Sequence, residues 1–134
     1  MRVDTPDGPK DRETVHHMDT PVSPLNPRDY LILLSLSESP RHGYGLLKDI
    51  ARLTENEVHF DPANLYRSLK RMIKQELVTE MSPPPDAKEG DTRRRYYGIT
   101  NSGARTVQAE AARLARLTKV AQERNLVPDS EAPA

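Results

Sequence analysis

A short stretch of the sequence, residues 61–76, carries four cationic side chains at helical spacing. They are Arg67, Lys70, Arg71 and Lys74. At about 100° per residue they project from one side of a helix, with Asn64 at the edge of that side. Guanidinium, ammonium and amide groups can pair with the phosphates and base edges of DNA. The same pattern also fits an ordinary solvated helix surface, and this stretch alone leaves both interpretations open.

The neighbouring residues predict the helix that would position these cations. Asp61 is a favoured N-cap residue, and Pro62 suits the first helical position, where the missing N–H would have no partner anyway. The opposite side is apolar and consists of Leu65, Leu69, Met72 and Ile73. Because this spacing forms one stripe, we expect that side to pack into a core and the cationic side to face outwards.

The composition of the whole chain limits the function classes. Its 134 residues are about the length of one domain, and 20 Lys and Arg balance 20 Asp and Glu, so any nucleic-acid site must be local. The absence of cysteine excludes disulfides and thiolate metal sites. No apolar run approaches the roughly 20 residues of a membrane span, and the N-terminus is too polar for a signal peptide. We therefore expect a cytoplasmic protein with no membrane segment.

Proline placement predicts the organisation of the chain. Prolines concentrate in the first 27 residues and near the end, and none falls inside an expected helix. We predict a flexible N-terminal arm over residues 1–25 and an ordered domain over residues 26–99. A C-terminal helix over residues 100–124 and a flexible tail over residues 125–134 should follow.

Two helices are expected before the cationic one. Asn26 and Pro27 form a start signal for the first, although the apolar residues 30–36 fit either a buried strand or a buried helix. The cap and the Ser-Glu-Ser-Pro stop that follows favour a helix. A second helix is expected over residues 44–53, and residues 54–60 should form a loop that could include a short strand.

After the cationic helix the apolar period changes from 3.6 to 2, which predicts a β-hairpin. Residues 77–81 and 93–99 are the expected strands, joined by a long polar tip. The returning strand would carry Arg93, Arg94 and Arg95, which repel one another unless an anion neutralises them. We interpret them as contacts to a phosphate backbone. The alternative is an edge strand that carries charge to prevent aggregation.

The last helix is expected to begin at Thr100 and to end near Arg124. A narrow apolar seam follows it at spacings of three and four residues. The seam consists of Ala104, Val107, Ala111, Leu114, Leu117, Thr118 and Ala121. We predict that this seam packs against a second copy of the chain. The alternative is that the helix folds back on its own domain.

The order of these elements is that of a winged helix-turn-helix, a mainly α fold with a small β-hairpin, here followed by a long C-terminal dimerisation helix. Three motifs point to one family. Residues 33–46, which include His42-Gly43-Tyr44, resemble the element that joins the first two helices of the PadR-like transcriptional regulators. Residues 64–72 are similar to the recognition helix of that family, and residues 93–103 to its wing exit.

The resemblance implies a homodimeric DNA-binding regulator, commonly a repressor. Tyr66 matches a tyrosine of the family's recognition helix, whereas Arg67 and Ser68 replace the usual Pro-Ala, so the operator sequence should differ from those of relatives. The family also implies a small-molecule effector, aromatic or lipophilic, at the dimer interface. With no Trp, one Phe and five Tyr, the chain gives a stacked aromatic pocket little support.

The residues predicted to contact DNA lie on three elements. They are Asn64, Tyr66, Arg67, Ser68, Lys70, Arg71 and Lys74, then Arg93, Arg94 and Arg95, and finally His42 and Tyr44. For His42 and Tyr44 a structural interpretation is favoured, in which His42 caps a helix and Tyr44 is a core residue with a hydrogen-bonded tip.

Two other function classes are alternatives to DNA binding. No nucleophile with its base, carboxylate pair or metal set can be recognised, and the adjacent His16 and His17 lack further ligands, so no catalytic residue, metal or cofactor is expected. The neutral net charge would suit a winged-helix adaptor that binds proteins instead of specific DNA. The cations on both the helix and the hairpin argue against that alternative.

Overall fold

The computed structural model describes residues 24–91 and 93–128. Its elements, in chain order, are α1 (Pro27–Leu36), β1 (Arg41–His42), α2 (Gly43–Leu53), α3 (Pro62–Lys74), β2 (Val78–Met81), a 3-10 helix (Glu89–Asp91), β3 (Tyr96–Ile99) and α4 (Asn101–Glu123). The predicted fold class, mainly helical with a small antiparallel sheet, is confirmed. His16, His17 and most of the predicted arm and tail lie outside the described residues.

The first helix begins where its sequence signal predicts. The Asn26 side chain accepts the N–H of Asp29 at 2.9 Å, and Pro27 occupies the first helical position. Ile32 and Leu33 are fully buried against α2 and α4. Residues 30–36 are therefore part of a buried helix, and the strand alternative was wrong.

Leu25 belongs to the folded domain, although the sequence places it at the end of the flexible arm. Its side chain lies in the hydrophobic core. Its backbone N–H donates to Oε1 of Glu110, a buried residue of α4, at 3.2 Å. The folded domain therefore includes Leu25, because the side chain of this residue is in the core and its backbone is hydrogen-bonded to the last helix.

The third helix has the predicted cap and the predicted apolar side. The Asp61 carboxylate accepts the N–H groups of Ala63 at 3.1 Å and Asn64 at 3.4 Å. Leu65, Leu69 and Met72 are at most 1% exposed, so burial fixes the orientation of α3 on the core. Residues 54–61 contain no strand.

The sheet has three strands in the order β1-β3-β2, one more than the predicted hairpin. The additional strand β1 pairs with β3 through Arg41↔Tyr97 and His42↔Tyr96. The pairing of β2 with β3 runs from Val78↔Ile99 to Met81↔Tyr96. The three strands are only two to four residues long. The sheet that they form packs beside α3 and α4.

The three consecutive arginines precede β3, which corrects the prediction that they lie on the returning strand. Continuing the register would set Arg94 opposite Pro83 and Arg93 opposite Pro84. Proline has no N–H to donate to a ladder, so pairing ends at Met81 and Tyr96. Residues 82–95, which we call the wing tip, form an irregular connection that includes the 3-10 helix.

The last helix has a buried first half and an exposed second half. Thr106, Val107 and Glu110 are buried within the domain, and Val107 is part of its core. Leu117 is 49% exposed and Val120 is 36% exposed. The predicted dimerisation seam is therefore corrected at Val107, because this residue packs on its own chain.

The first turn of α4 packs closely on the chain before β2. A Cβ on Gly103 would lie 2.2 Å from the carbonyl oxygen of Leu77, so only glycine lets the first turn of α4 approach the chain before β2 so closely. Within residues 24–91 and 93–128, no helix is long and apolar enough to cross a membrane.

Candidate nucleic-acid interface

The outward side of α3 is polar and cationic. Tyr66, Arg67, Lys70 and Lys74 are exposed there, with Asn64 and Ser68 half-buried beside them. Helix α3 contains no acidic residue, and in the described part of the chain Lys70 and Lys74 form no ion pair. The guanidinium of Arg67 donates to Oδ1 of Asn64, which orients both side chains on one surface.

Arg71 has a different environment from the other three cations. The sequence places it among the phosphate contacts, and in the structure it forms an ion pair within the domain. Its guanidinium donates two hydrogen bonds to the carboxylate of Asp29, at 2.7 and 3.0 Å, and Asp29 is 4% exposed at the start of α1. Hydrogen bonding to Asp29 raises the pKa of Arg71 above its ordinary value. Arg71 therefore ties α3 to α1 instead of adding a free charge to the outer side.

The side chain of Tyr66 extends from α3 towards Gly43 at the start of α2. Its ring is 48% exposed, and a Cβ on Gly43 would lie 2.2 Å from its hydroxyl oxygen. Only glycine at position 43 therefore leaves space for Tyr66 in this orientation. Burial, and to a lesser extent the nearby Tyr66, raise the pKa of Tyr97 in β3.

The three arginines of the wing tip are all exposed, but two of them are paired. Arg94 Nε lies 2.9 Å from Asp91 Oδ1, and Arg95 Nη1 lies 3.6 Å from Glu80 Oε2. For Arg93 the structure gives no hydrogen bond or ion pair within the described residues. The wing tip thus presents three cations, two of which are paired with surface carboxylates.

The predicted structural role is confirmed for His42 but not for Tyr44. The Nδ1 atom of His42 accepts the N–H of Gly45 at 2.9 Å, which confirms His42 as the cap of α2. Tyr44 is 54% exposed, so its assignment to the core was wrong. Its ring lies 5.4 Å from Lys48 Nζ and 5.7 Å from the Arg94 guanidinium, measured to the ring centre. Tyr44 therefore lies on the surface between α2 and the wing tip.

These residues come together on one surface formed by α2, α3 and the wing tip. Sequence reasoning found most of the cations but missed Asp29, Gly43 and Asp91. Each of these acts through a residue far along the chain, such as Asp29 on Arg71, and no local pattern marks such a partner. No group of three or more His, Asp or Glu side chains among the described residues could hold a metal ion.

The predicted dimerisation residues divide along α4. Ala104 and Ala111 are half-buried and Val107 is buried, all on the domain side. Leu114 and Ala121 are half-buried, and Leu117 and Thr118 are exposed. Only the second half of the seam is therefore left uncovered within this chain.

A model of the transcriptional regulator PadR-like family matches residues 32–109, more than half of the chain. An uncharacterised protein of Lysinibacillus sphaericus is 32% identical over 75 residues, which cover 56% of this chain and 66% of that protein. The chain thus spans just under two thirds of the length of that relative.

Solved structures of similar proteins were also found. A PadR family transcription regulator from Clostridium difficile is 25% identical with a TM-score of 0.59, covering 71% of this chain and 94% of that one. A PadR-like transcriptional regulator from Bacillus cereus is 20% identical with a TM-score of 0.62, covering 75% and 93% of the two chains. At its identity the second match supports the fold alone.

Proposed function

The chain belongs to the PadR-like family of transcriptional regulators, and on that premise we propose that it is a homodimeric repressor that binds an approximately palindromic operator. The predicted family is confirmed, and so is the expectation of a regulator instead of an enzyme. DNA binding follows from this membership. The homodimer, the operator symmetry and the sign of regulation are the proposal.

The observation that carries the proposal is the charge of α3. The chain as a whole is neutral, with 20 basic and 20 acidic side chains, yet α3 has four basic side chains and no acidic one. Arg71 is the one of these four that forms an ion pair within the described residues, so the charges of Arg67, Lys70 and Lys74 are left for an external partner. A local cationic surface on a helix that the core holds rigidly suits a major groove.

In this proposal the residues divide into base contacts and phosphate contacts. Arg67, Asn64 and Tyr66 would read base edges, with Ser68 beside them, because guanidinium and amide groups pair with guanine and adenine. Lys70 and Lys74 would hold phosphates. The wing-tip arginines would reach the backbone or the minor groove on the adjacent side.

Dimerisation is supported by the second half of α4. Leu117 and Val120 are exposed on a helix whose first half is already anchored in the domain, so the second half is free to pair with its copy. Two-fold pairing would place two α3 helices in successive major grooves, about one helical turn apart, on a roughly palindromic site. Occupation of a promoter by such a dimer blocks transcription without catalysis.

The first test is fluorescence anisotropy with labelled DNA from the promoter nearest the gene of this protein, compared with scrambled DNA of the same length across a salt series. We expect sequence-dependent binding that weakens steeply as salt rises, because phosphate contacts release counterions. Sedimentation velocity should give the mass of a dimer. Equal weak binding to both DNAs, unchanged when Arg93, Arg94 and Arg95 are replaced by alanine, would favour a protein-binding adaptor instead.

The role of Arg67 is tested by Arg67→Ala. A bidentate contact to guanine predicts a loss of about 1–3 kcal/mol at one base pair of the operator, and little loss on DNA already mutated there. The matched control is Arg116→Ala, which removes an exposed cation from α4. An equal loss on every sequence would make Arg67 a phosphate contact.

A further inference from the structure

The wing tip is attached to the start of α2 through one carboxylate. Oδ2 of Asp91 lies 3.3 Å from Nε2 of His42, and Oδ1 of the same residue lies 2.9 Å from Nε of Arg94. Asp91 belongs to the 3-10 helix of the wing tip, whereas His42 is the cap of α2. A single side chain therefore connects the helix-turn-helix to the arginine segment.

Four side chains contact one another in a closed cycle. The Arg94 guanidinium lies 5.7 Å from the centre of the Tyr44 ring, and the Tyr44 ring lies parallel to that of His42, with centroids 6.4 Å apart. We call His42, Tyr44, Asp91 and Arg94 the wing clamp. The edge-on packing of His42 against Tyr96 of β3, at 5.3 Å, fixes the clamp to the sheet as well.

The position of the His42 proton is determined by the helix cap. Because Nδ1 accepts the N–H of Gly45, the neutral ring carries its proton on Nε2. That nitrogen faces Asp91, so His42 accepts a hydrogen bond from α2 on one side and lies against the wing-tip carboxylate on the other. The side chains of His42 and Asp91 are 12% and 26% exposed, which limits competition from water.

We propose that Asp91 is a positioning residue for DNA binding: it holds Arg94, and with it the neighbouring Arg93 and Arg95, at a fixed place relative to α3. This rests on the proposed contact between the wing-tip arginines and DNA. In the described part of the wing tip, residues 82–91 and 93–95, no residue is buried, so apolar packing does not fix this segment. The clamp replaces that packing and lowers the conformational entropy that binding must remove.

Simple electrostatics predicts the opposite effect for the same residue. Asp91 is an acidic group beside a surface that would bind phosphate, and its negative charge would repel the phosphates of DNA. If Asp91 acts only through this charge, its removal strengthens DNA binding. A positioning role means that removing it weakens DNA binding. The sign of the change therefore separates the two roles.

The experiment compares Asp91→Ala with Asp86→Ala on operator DNA in the same salt series. Asp86 is also an acidic wing-tip residue, and no hydrogen bond or ion pair to it is found among the described residues. We expect Asp86→Ala to bind as tightly as the parent protein or more tightly. Asp91→Ala should bind about tenfold more weakly, because Arg94 and the segment that carries it then have to be ordered on binding. Binding of Asp91→Ala as tight as that of Asp86→Ala would overturn the proposal.

A second measurement makes the result independent of the operator. Amide hydrogen exchange across residues 86–95 of the free protein should accelerate in Asp91→Ala and stay unchanged in Asp86→Ala, while exchange in α1 and α3 remains that of the parent. Unchanged exchange in both variants would also overturn the clamp. If exchange accelerates but the parent protein does not prefer operator DNA, the clamp stands and the proposed function fails.

Discussion

Helix α3 and the wing tip carry the same kind of charge on different supports. Beneath α3, Leu65, Leu69 and Met72 are almost completely buried, and Arg71 is bound to the buried Asp29. In the described part of the wing tip no residue is buried, and Arg94 and Arg95 are paired with the partly exposed Asp91 and Glu80. One element is held by the core and the other by polar contacts at the surface.

The difference has a physical consequence for recognition. Burial of apolar side chains is insensitive to salt and holds a helix in one orientation, as the reading of base edges requires. Surface ion pairs are individually weak and are screened by salt, so the wing tip can adjust to the backbone it meets. Sequence discrimination should therefore come mainly from α3, and the wing tip should contribute affinity that depends on salt.

The largest contrast should appear when apolar side chains are shortened. Leu69→Ala should lower the free energy of unfolding by about 2–5 kcal/mol, because it leaves a cavity in the core. Met81→Ala, at the end of β2 where the side chain is 41% exposed, should cost less than about 1 kcal/mol. Urea denaturation monitored by circular dichroism measures both. Similar losses for the two variants would mean that the wing is as much part of the core as α3.

A smaller contrast is expected between the two kinds of ion pair. Asp29→Ala removes two hydrogen bonds to Arg71 and should destabilise the fold by about 1–3 kcal/mol, limited by the water that the half-exposed Arg71 can recruit. Glu80→Ala removes the partner of Arg95, and its effect should stay within about 0.5 kcal/mol. A double-mutant cycle with Arg71→Ala isolates the coupling. A coupling energy near zero would show that the buried Asp29 is not what holds Arg71.

The smallest effect concerns acid stability and the carboxylate of Asp49 in α2. Burial alone would raise its pKa, but hydrogen bonds from Ser35 and Arg52 and the charge of Arg41 outweigh this and hold the pKa below the ordinary 3.8. Asp49 thus stabilises the fold above pH 3.8, and this contribution is lost as the pH falls from there through the lower folded value. Ser35→Ala should reduce the acid-induced loss by about 0.5–1.5 kcal/mol, the net value of one hydrogen bond.

Thermal unfolding between pH 7 and pH 3 measures that loss. The control is Asp86→Ala in the wing tip, which should leave the acid-induced loss of the parent protein unchanged. If Ser35→Ala loses as much stability on acidification as the parent, the hydrogen bond from Ser35 does not hold the pKa of Asp49 down.

Features that depend on residues close together along the chain could be predicted from the sequence. Caps act within four residues, so Asn26, Asp61 and Thr100 marked the starts of three helices correctly. The start of β3 could also have been found, since Pro83 and Pro84 opposite the arginines cannot extend the ladder.

Other features depend on partners that are distant along the chain. Arg71 and Asp29 are 42 residues apart, and helical periodicity alone placed Arg71 on the outer side. Tyr44 is an aromatic residue in an apolar context, yet its partners are cations of α2 and the wing tip, so its exposure was not visible locally. Val107 follows the same seam as Leu117, and only the packing of α4 on its own domain separates them.

The hydrogen bond from Leu25 to Glu110 joins residues that are 85 positions apart and so links the first and last parts of the domain. During synthesis Leu25 and α1 leave the ribosome long before Glu110 has been added to the chain. The first helix can form early, but its flanking backbone finds its partner only after most of α4 has emerged. Completion of this core therefore waits until most of α4 has been synthesised, and a chain that stops before residue 110 leaves the N–H of Leu25 without this acceptor.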